Sequence, residues 1–245
     1  MIKYFLFFVL LVLSSCDLLT ERKKSEKEGS NNGVKKSFSK EGKLLSEVTM
    51  KDGKRHGRAR TFYKSGKVNL ELNYVEDKRE GKSLRYYENG VLYQESEYRN
   101  DKLNGIQKRY RESGKPLSEA RFEDDEPCTG LVEYRLDGSK RKDYPEIVVR
   151  PIDRLATEGR YTLELSVTEG AKNVWFYEGK LTNTGCLQYS LEALLMDPKT
   201  ETGQLNVDLM PGQFLMYDFN FIAKVETMSG NIYITQKRYP LSVKN

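Results

Sequence analysis

Apolar and polar residues alternate through much of the first half of the chain. Leu44, Val48 and Met50 are apolar where Glu47 and Thr49 are polar, and Val68, Leu70, Leu72 and Tyr74 alternate with Asn69, Glu71 and Asn73. A period of two predicts half-buried strands, with one face inward and one toward water. After the first of these strands, "MKDGKRHG" holds an Asp-Gly pair and a second glycine, which predicts a turn. "RARTFY" then reads as a return strand with Phe62 facing inward, and "KSG" turns the chain again. One such unit is a β-hairpin.

The unit recurs every 24 residues, with glycine at Gly42, Gly66, Gly90, Gly114 and Gly138. Other columns keep the same phase: Glu47, Glu71, Glu95 and Glu119; Met50, Tyr74, Tyr98 and Phe122; Phe62, Tyr86, Tyr110 and Tyr134. A second glycine column runs Gly57, Gly81, Gly105 and slips by one to Gly130. Gly33 and Phe38 place half a unit before the first full one. Columns in register over this length mean stacked supersecondary units that build an antiparallel meander and are stable only on their neighbours. The last unit departs, with Pro116 in its strand and "DDEPCTG" at its turn, as a capping unit does.

From about Glu146 the repeat is lost. "GRYTLELSVTEG", "KNVWFYEG", "QLNVDLMPG", "QFLMYDFNFIAKVETMSG" and "NIYITQKRYPL" read as short strands separated by Glu169-Gly170, Pro211-Gly212 and Ser229-Gly230. About seven such strands predict an antiparallel, immunoglobulin-like β-sandwich. "LQYSLEALLMDPKTETG" is the one stretch that predicts a helical turn, stopped by Pro198. The expected fold is therefore all-β: an elongated hairpin-repeat sheet over 42–145, then a sandwich over 146–245.

The pattern Gly-Lys-x-x-x-Glu, an aromatic, an Asp/Gly-Lys turn, glycine and Tyr-Tyr-x-x-Gly resembles the MORN repeat variant, between Gly33 and Tyr144. That resemblance implies hairpin repeats. It also implies membership of a group of bacterial proteins often labelled antitoxin components of toxin–antitoxin systems.

The N-terminus has a different texture. Lys3, the apolar run "YFLFFVLLVL" and "LSSC" have the layout of a signal peptide over residues 1–15. Leu-Ser-Ser-Cys resembles a lipobox, which implies lipidation of Cys16 and cleavage before it. Several acyl chains together anchor stably. Asp17 at the next position implies inner-membrane retention in enterobacterial lipoproteins, a rule other Gram-negative groups do not follow. The expected address is the cell envelope, with the outer membrane favoured. Residues 16–41 begin with a charged, Ser/Asn/Gly-rich stretch that cannot bury enough surface to order itself. They read as a tether in which Arg22, Lys23, Lys24 and Lys27 are solvated or touch anionic headgroups.

Composition changes the picture little. The chain has 245 residues and a net charge of +5, without the concentrated basic face that nucleic acid requires. Charge does vary along the units, from +5 over residues 42–65 through 0 and +1 to −4 over residues 114–137. This gradient would orient an encounter more than tighten it. With Cys16 lipidated, Cys128 and Cys186 remain, either as a bridge clamping the last repeat to the sandwich or as two separate thiols.

Candidate chemistry is sparse. No Ser-His-Asp, Cys-His or zinc-ligand pattern is present, and no catalytic residue, metal or cofactor is expected. The lone His56 reads as a solvated turn residue. The glutamate column could serve glycoside hydrolysis only as a facing pair; on outward strand positions, cross-strand ion pairs with Arg85, Arg109 and Arg111 explain it better. Glu123, Asp124, Asp125 and Glu126 lack the ligand spacing of a Ca²⁺ loop. The outward Tyr63, Tyr87 and Tyr93 suit protein or glycan contact, or pack on their own sheet. The expected role is a non-enzymatic, lipid-anchored scaffold or adaptor for an envelope protein partner. An immunity-type inhibitor of an envelope-acting toxin and a cell-surface glycan binder are the alternatives.

Overall fold

The computed structural model of the chain describes residues 31–198 and 200–245. The signal-like segment, Cys16 and the first part of the expected tether lie outside the described residues.

The repeats form one antiparallel sheet. Its first half comprises β1 (Gly33–Phe38), β2 (Leu44–Lys51), β3 (Lys54–Phe62), β4 (Val68–Val75), the short β5 (Lys78–Arg79) and β6 (Gly81–Tyr86). Its second half comprises β7 (Leu92–Arg99), the short β8 (Lys102–Leu103), β9 (Gly105–Tyr110), β10 (Pro116–Glu123), β11 (Glu126–Pro127) and β12 (Val132–Glu133). The long strands follow one another in chain order, so each hairpin lies beside the next.

Three expectations change. The sheet begins at Gly33, inside the segment read as tether, because β1 pairs with β2 along its whole length. The first turn is only Asp52-Gly53, since Lys51 already pairs with Lys54; Lys54 to Gly57 belong to the return strand, with Gly57 across from Tyr74. The sheet also has no inward face. It is one layer thick: among the described residues Ser83 and Ser96 are buried within it, but the first buried apolar side chain is Ala120. Phe62, Tyr86 and Tyr110 are only half-buried.

The remaining strands are β13 (Ile147–Arg154), β14 (Arg160–Val167), β15 (Ala171–Glu178), β16 (Leu195–Asp197), β17 (Thr202–Asp208), β18 (Phe214–Thr227) and β19 (Ile232–Lys244). They form two sheets, ordered β13-β14-β17-β16 and β15-β18-β19. This is the strand order of a seven-stranded immunoglobulin constant-type sandwich. Leu163, Leu165, Phe176, Phe219, Phe221, Ala223, Val225 and Leu241 fill the space between the sheets. Burial of a side chain of this size stabilises by about 1.5–3 kcal/mol. The only helix among the described residues is α1 (Leu155–Glu158), ended by Gly159 in the left-handed region. The expected helical turn after Leu187 is absent: those residues run as loop and β16, held by Leu194 donating to the Phe176 carbonyl.

The last repeat is bound to the outer face of β15-β18-β19. Tyr177, Leu187, Ile222 and Ile234 form a second buried cluster there, covered in part by Leu181 and Leu191 of the loop after β15. Cys128 and Cys186 are joined as a disulfide at this point. Leu187 donates to the Pro127 carbonyl at 3.0 Å and Thr129 to the Gly185 carbonyl at 2.9 Å. Beside them Glu133 is only 3% exposed. Its carboxylate accepts Thr227 Oγ1 and Asn231 Nδ2, both at 2.6 Å, and Arg141 at 2.9 Å. Asn231 Oδ1 in turn accepts Ser118 Oγ and the Arg109 guanidinium. Residues of the last repeat and of the β18–β19 turn are thus joined in one polar network.

Burial is the largest single influence on Glu133 and pushes its pKa up, but the Thr227, Asn231 and Arg141 donors together with the Arg141 charge outweigh it. The carboxyl is held below its ordinary value. Its stabilisation is therefore present above the unfolded-state pKa and is lost as pH falls through the folded one.

Two predictions follow from this joint. Glu133→Ala leaves buried donors and Arg141 unpaired, so urea unfolding should show a loss of about 3–5 kcal/mol. The double variant Cys128→Ser/Cys186→Ser opens a loop with a sequence separation of 58 residues. It should lose about 4 kcal/mol in the same assay, and the wild type should match it once reduced.

Candidate interaction surface

The repeat sheet shows how a single layer is held without a core. At one edge every hairpin turn has two residues with positive φ, such as Glu76 and Asp77 (φ 49° and 69°) or Asn100 and Asp101 (φ 50° and 71°). This is the type I′ geometry that matches strand twist. From the second turn on, the second of these residues is an aspartate that reaches back to the preceding unit. Asp77 Oδ1 accepts the Arg55 backbone N–H at 2.9 Å and Nε at 3.0 Å, while the Asp77 N–H donates to the Arg55 carbonyl. Asp101 does the same with Arg79, and Asp125 accepts the Leu103 N–H at 2.7 Å. At the first unit Gly53 donates to the Asn31 carbonyl, which continues the ladder. The arginines are held over aromatic rings, Arg55 at 4.1 Å from Tyr74 and Arg79 at 4.2 Å from Tyr98. Such stacking contributes about 0.5–1 kcal/mol each at exposed sites.

The opposite edge carries a second ladder. Tyr63 donates its hydroxyl to the Tyr86 carbonyl at 2.6 Å, and Tyr87 to the Tyr110 carbonyl at 2.9 Å. Arg111 takes the next rung, donating to the Tyr134 carbonyl. Each bond reaches one unit ahead. Two tyrosines read as outward contact residues therefore tie neighbouring units together and are half-buried. Tyr93 packs edge-on against Tyr87 at 5.0 Å and accepts from Arg109, which extends to Asn231 of the sandwich. The structure brings Tyr87 and Tyr93 together and leaves Tyr63 one unit away.

The glutamate column runs across the middle of one face. Arg60 stands between Glu47 and Glu71, Leu84 between Glu71 and Glu95, and Lys108 between Glu95 and Glu119. Arg60 bonds Glu47, and Lys82 bonds Glu95 at 2.8 Å. Two of the four glutamates, Glu47 and Glu95, are ion-paired, with partners other than those expected, while Glu119 accepts the Tyr134 hydroxyl. Arg85 and Arg109 pair across from Leu70, Gln94 and Ser118, which puts them on the other face.

The remaining candidates resolve into local roles. His56 is half-buried with Nδ1 at 3.6 Å from Glu76, so it faces a carboxylate rather than solvent. Asp125 is the last rung of the turn ladder, Asp124 accepts the Asn104 amide, and Glu123 accepts the Thr184 hydroxyl. Among the described residues the one group close enough to hold a metal is Glu123, Cys128 and Cys186, and its sulfurs are bonded to each other.

Two clefts had no sequence signal. One of 650 Å³ opens at an end of the sandwich between residues 166–174 and 196–202, with Phe176 in its lining. One of 320 Å³ lies at the joint, between Lys102, Glu123 and Glu126 and the loop residues Leu187 and Tyr189. Both are assembled from strand ends and loops of different elements, where no periodicity marks them.

With this geometry in place, the class is defined: an all-β repeat protein with an attached sandwich. Residues 31–52, 55–76, 79–100 and 103–124 each match the family model of the MORN repeat variant. The four matches start at Asn31, Arg55, Arg79 and Leu103, the residues whose backbone meets the following unit's turn. The chain therefore carries four repeats of this type, over well under half its length. No curated protein matches the chain. Among the described residues no helix is long and apolar enough to cross a membrane.

The turn ladder has a pH signature. The backbone N–H of Arg55 acts most strongly on Asp77, followed by the Arg55 side chain, and holds its carboxyl below the usual range; Arg79 does the same to Asp101. Lowered folded values mean that this stabilisation is complete above the ordinary aspartate pKa, about 3.9, and fades as pH falls through the lower folded values. Asp77→Asn/Asp101→Asn should melt below the wild type at neutral pH. Its Tm should also fall less than the wild type's between about pH 6 and about pH 2.5.

Proposed function

We propose that the chain is a non-enzymatic, membrane-anchored lipoprotein whose repeat sheet serves as a protein-binding scaffold in the bacterial envelope. The observation that carries this reading is the single-layer sheet. Its turn aspartates, edge tyrosines and the Lys82–Glu95 pair hold unit to unit, which leaves a long, regular surface open on both faces ahead of the last repeat. Regular extended surfaces of this kind are how solenoid repeats present themselves to protein partners. The joint at Glu133 and the disulfide fixes the sheet on the sandwich, so a partner meets one preset geometry. The lipobox-like "LSSC" supports attachment through Cys16, and the disulfide fits an oxidising compartment.

An antitoxin role in the cytosol fits a lipidated chain poorly. Inhibition of a toxin acting in the envelope and binding of a cell-surface glycan are the alternative readings.

Expression of the wild type and Cys16→Ser in the native host, with crosslinking and purification from membranes, tests the proposal. The wild type should fractionate with membranes and recover one defined protein, and the serine form should be released. Identical fractionation of the two forms would remove the anchor. Failure of the wild type to recover any protein would remove the scaffold.

A further inference from the structure

The sheet ends at β1, and among the described residues β1 is paired on one side only, with β2. All six of its residues are exposed. The 24-residue period shows what the open side lacks. Position 36 is equivalent to 60, 84 and 108, and each of those residues lies between two glutamates of the column. Lys36 has Glu47 on its β2 side, and that carboxylate bonds Arg60. Phe38 shows the same deficit. It is 56% exposed, whereas Phe62, Tyr86 and Tyr110, its equivalents in later units, are half-buried.

We propose that the free edge of β1 is a strand-addition site for an extended acidic segment of a partner protein. That segment would set a carboxylate across Lys36 and an apolar or aromatic side chain, two residues earlier, across Phe38. This rests on the scaffold reading and names the surface and the partner chemistry. Main-chain bonds along the edge supply affinity, and the cross-strand pairs supply register and choice.

Two other occupants fit less well. One period before β2 the chain itself reads "TERKKSEK", residues 20–27. Lys23 stands where the repeats have glutamate, and Thr20, Lys24 and Glu26 stand where Leu44, Val48 and Met50 are apolar. A second copy would offer its own β1, which brings Lys35 and Lys36 against Lys35 and Lys36. Like charges directly opposite destabilise a strand pair, and lysine on an edge strand works against self-association.

The test uses the full-length chain purified in detergent and a dye-labelled peptide, GVLYQESEYR, copied from Gly90–Arg99. This peptide carries a tyrosine two residues before its first glutamate. Anisotropy titration should give saturable binding, and hydrogen exchange should slow at Val34 to Phe38. Lys36→Glu should weaken binding about tenfold, and a peptide with lysine in place of that glutamate should prefer the variant. No binding, binding indifferent to the charge swap, protection outside β1, or a dimer joined through β1 would each overturn the proposal. The scaffold reading is judged separately by host crosslinking. If Lys36→Glu still recovers the wild-type partner at the same yield, the edge is wrong and the scaffold stands. If the charge-swapped pair binds but the host gives no protein partner, the edge stands and the scaffold falls.

Discussion

A sheet one layer thick has no apolar interior, and that constraint shapes the whole repeat region. Fixing each residue costs about 1–2 kcal/mol of backbone entropy, and here no buried apolar layer offsets it before Ala120. The units must instead hold one another through bonds that cross from one hairpin to the next. The turn aspartates do this along one edge, the tyrosine hydroxyls along the other and the Lys82–Glu95 pair across the middle, while Arg60–Glu47 ties the two strands of one hairpin. Each device reaches a neighbouring strand or unit, so it exists only while the neighbour is folded. Stability is then a chain of nearest-neighbour terms, and such a chain needs a firm end.

The sandwich supplies that end. Its own core, around Leu163, Phe176 and Phe221, is of the ordinary buried kind. The outer face of β15-β18-β19 adds a second apolar cluster under the last repeat, where the disulfide and the Glu133 network also lie. A buried carboxylate is tolerated there because three donors converge on it. The opposite end of the sheet has no such cover among the described residues, and the contrast makes β1 the natural place for something to join.

Much of the design was legible in the chain alone, because a period of 24 residues and a period of two are both local signals. They fixed the hairpins, the units, the all-β class and the change of texture near Glu146. The purposes of several columns were not legible. Tyr63 and Tyr87 alternate like outward residues, and only the stacking of units shows their hydroxyls on the next unit's backbone. Arg85 and Arg109 looked like partners of the glutamates; the half-unit bulges and the two-residue turns set a register that sends them to the other face. The short helix at Leu155–Glu158 had no apolar period long enough to announce it.

The sequence by itself determined what repeats, where it turns and which residues sit in the same phase, since these depend on backbone geometry a few residues at a time. It also placed Cys128 and Cys186 in the two halves without pairing them. The tertiary structure decided which phase-mates touch, that the repeat sheet stays a single layer, and that Glu133 is buried under the β18–β19 turn. These depend on contacts between residues about 94 and 98 positions apart, a range at which local alternation carries no information and only the packing of whole sheets selects a partner.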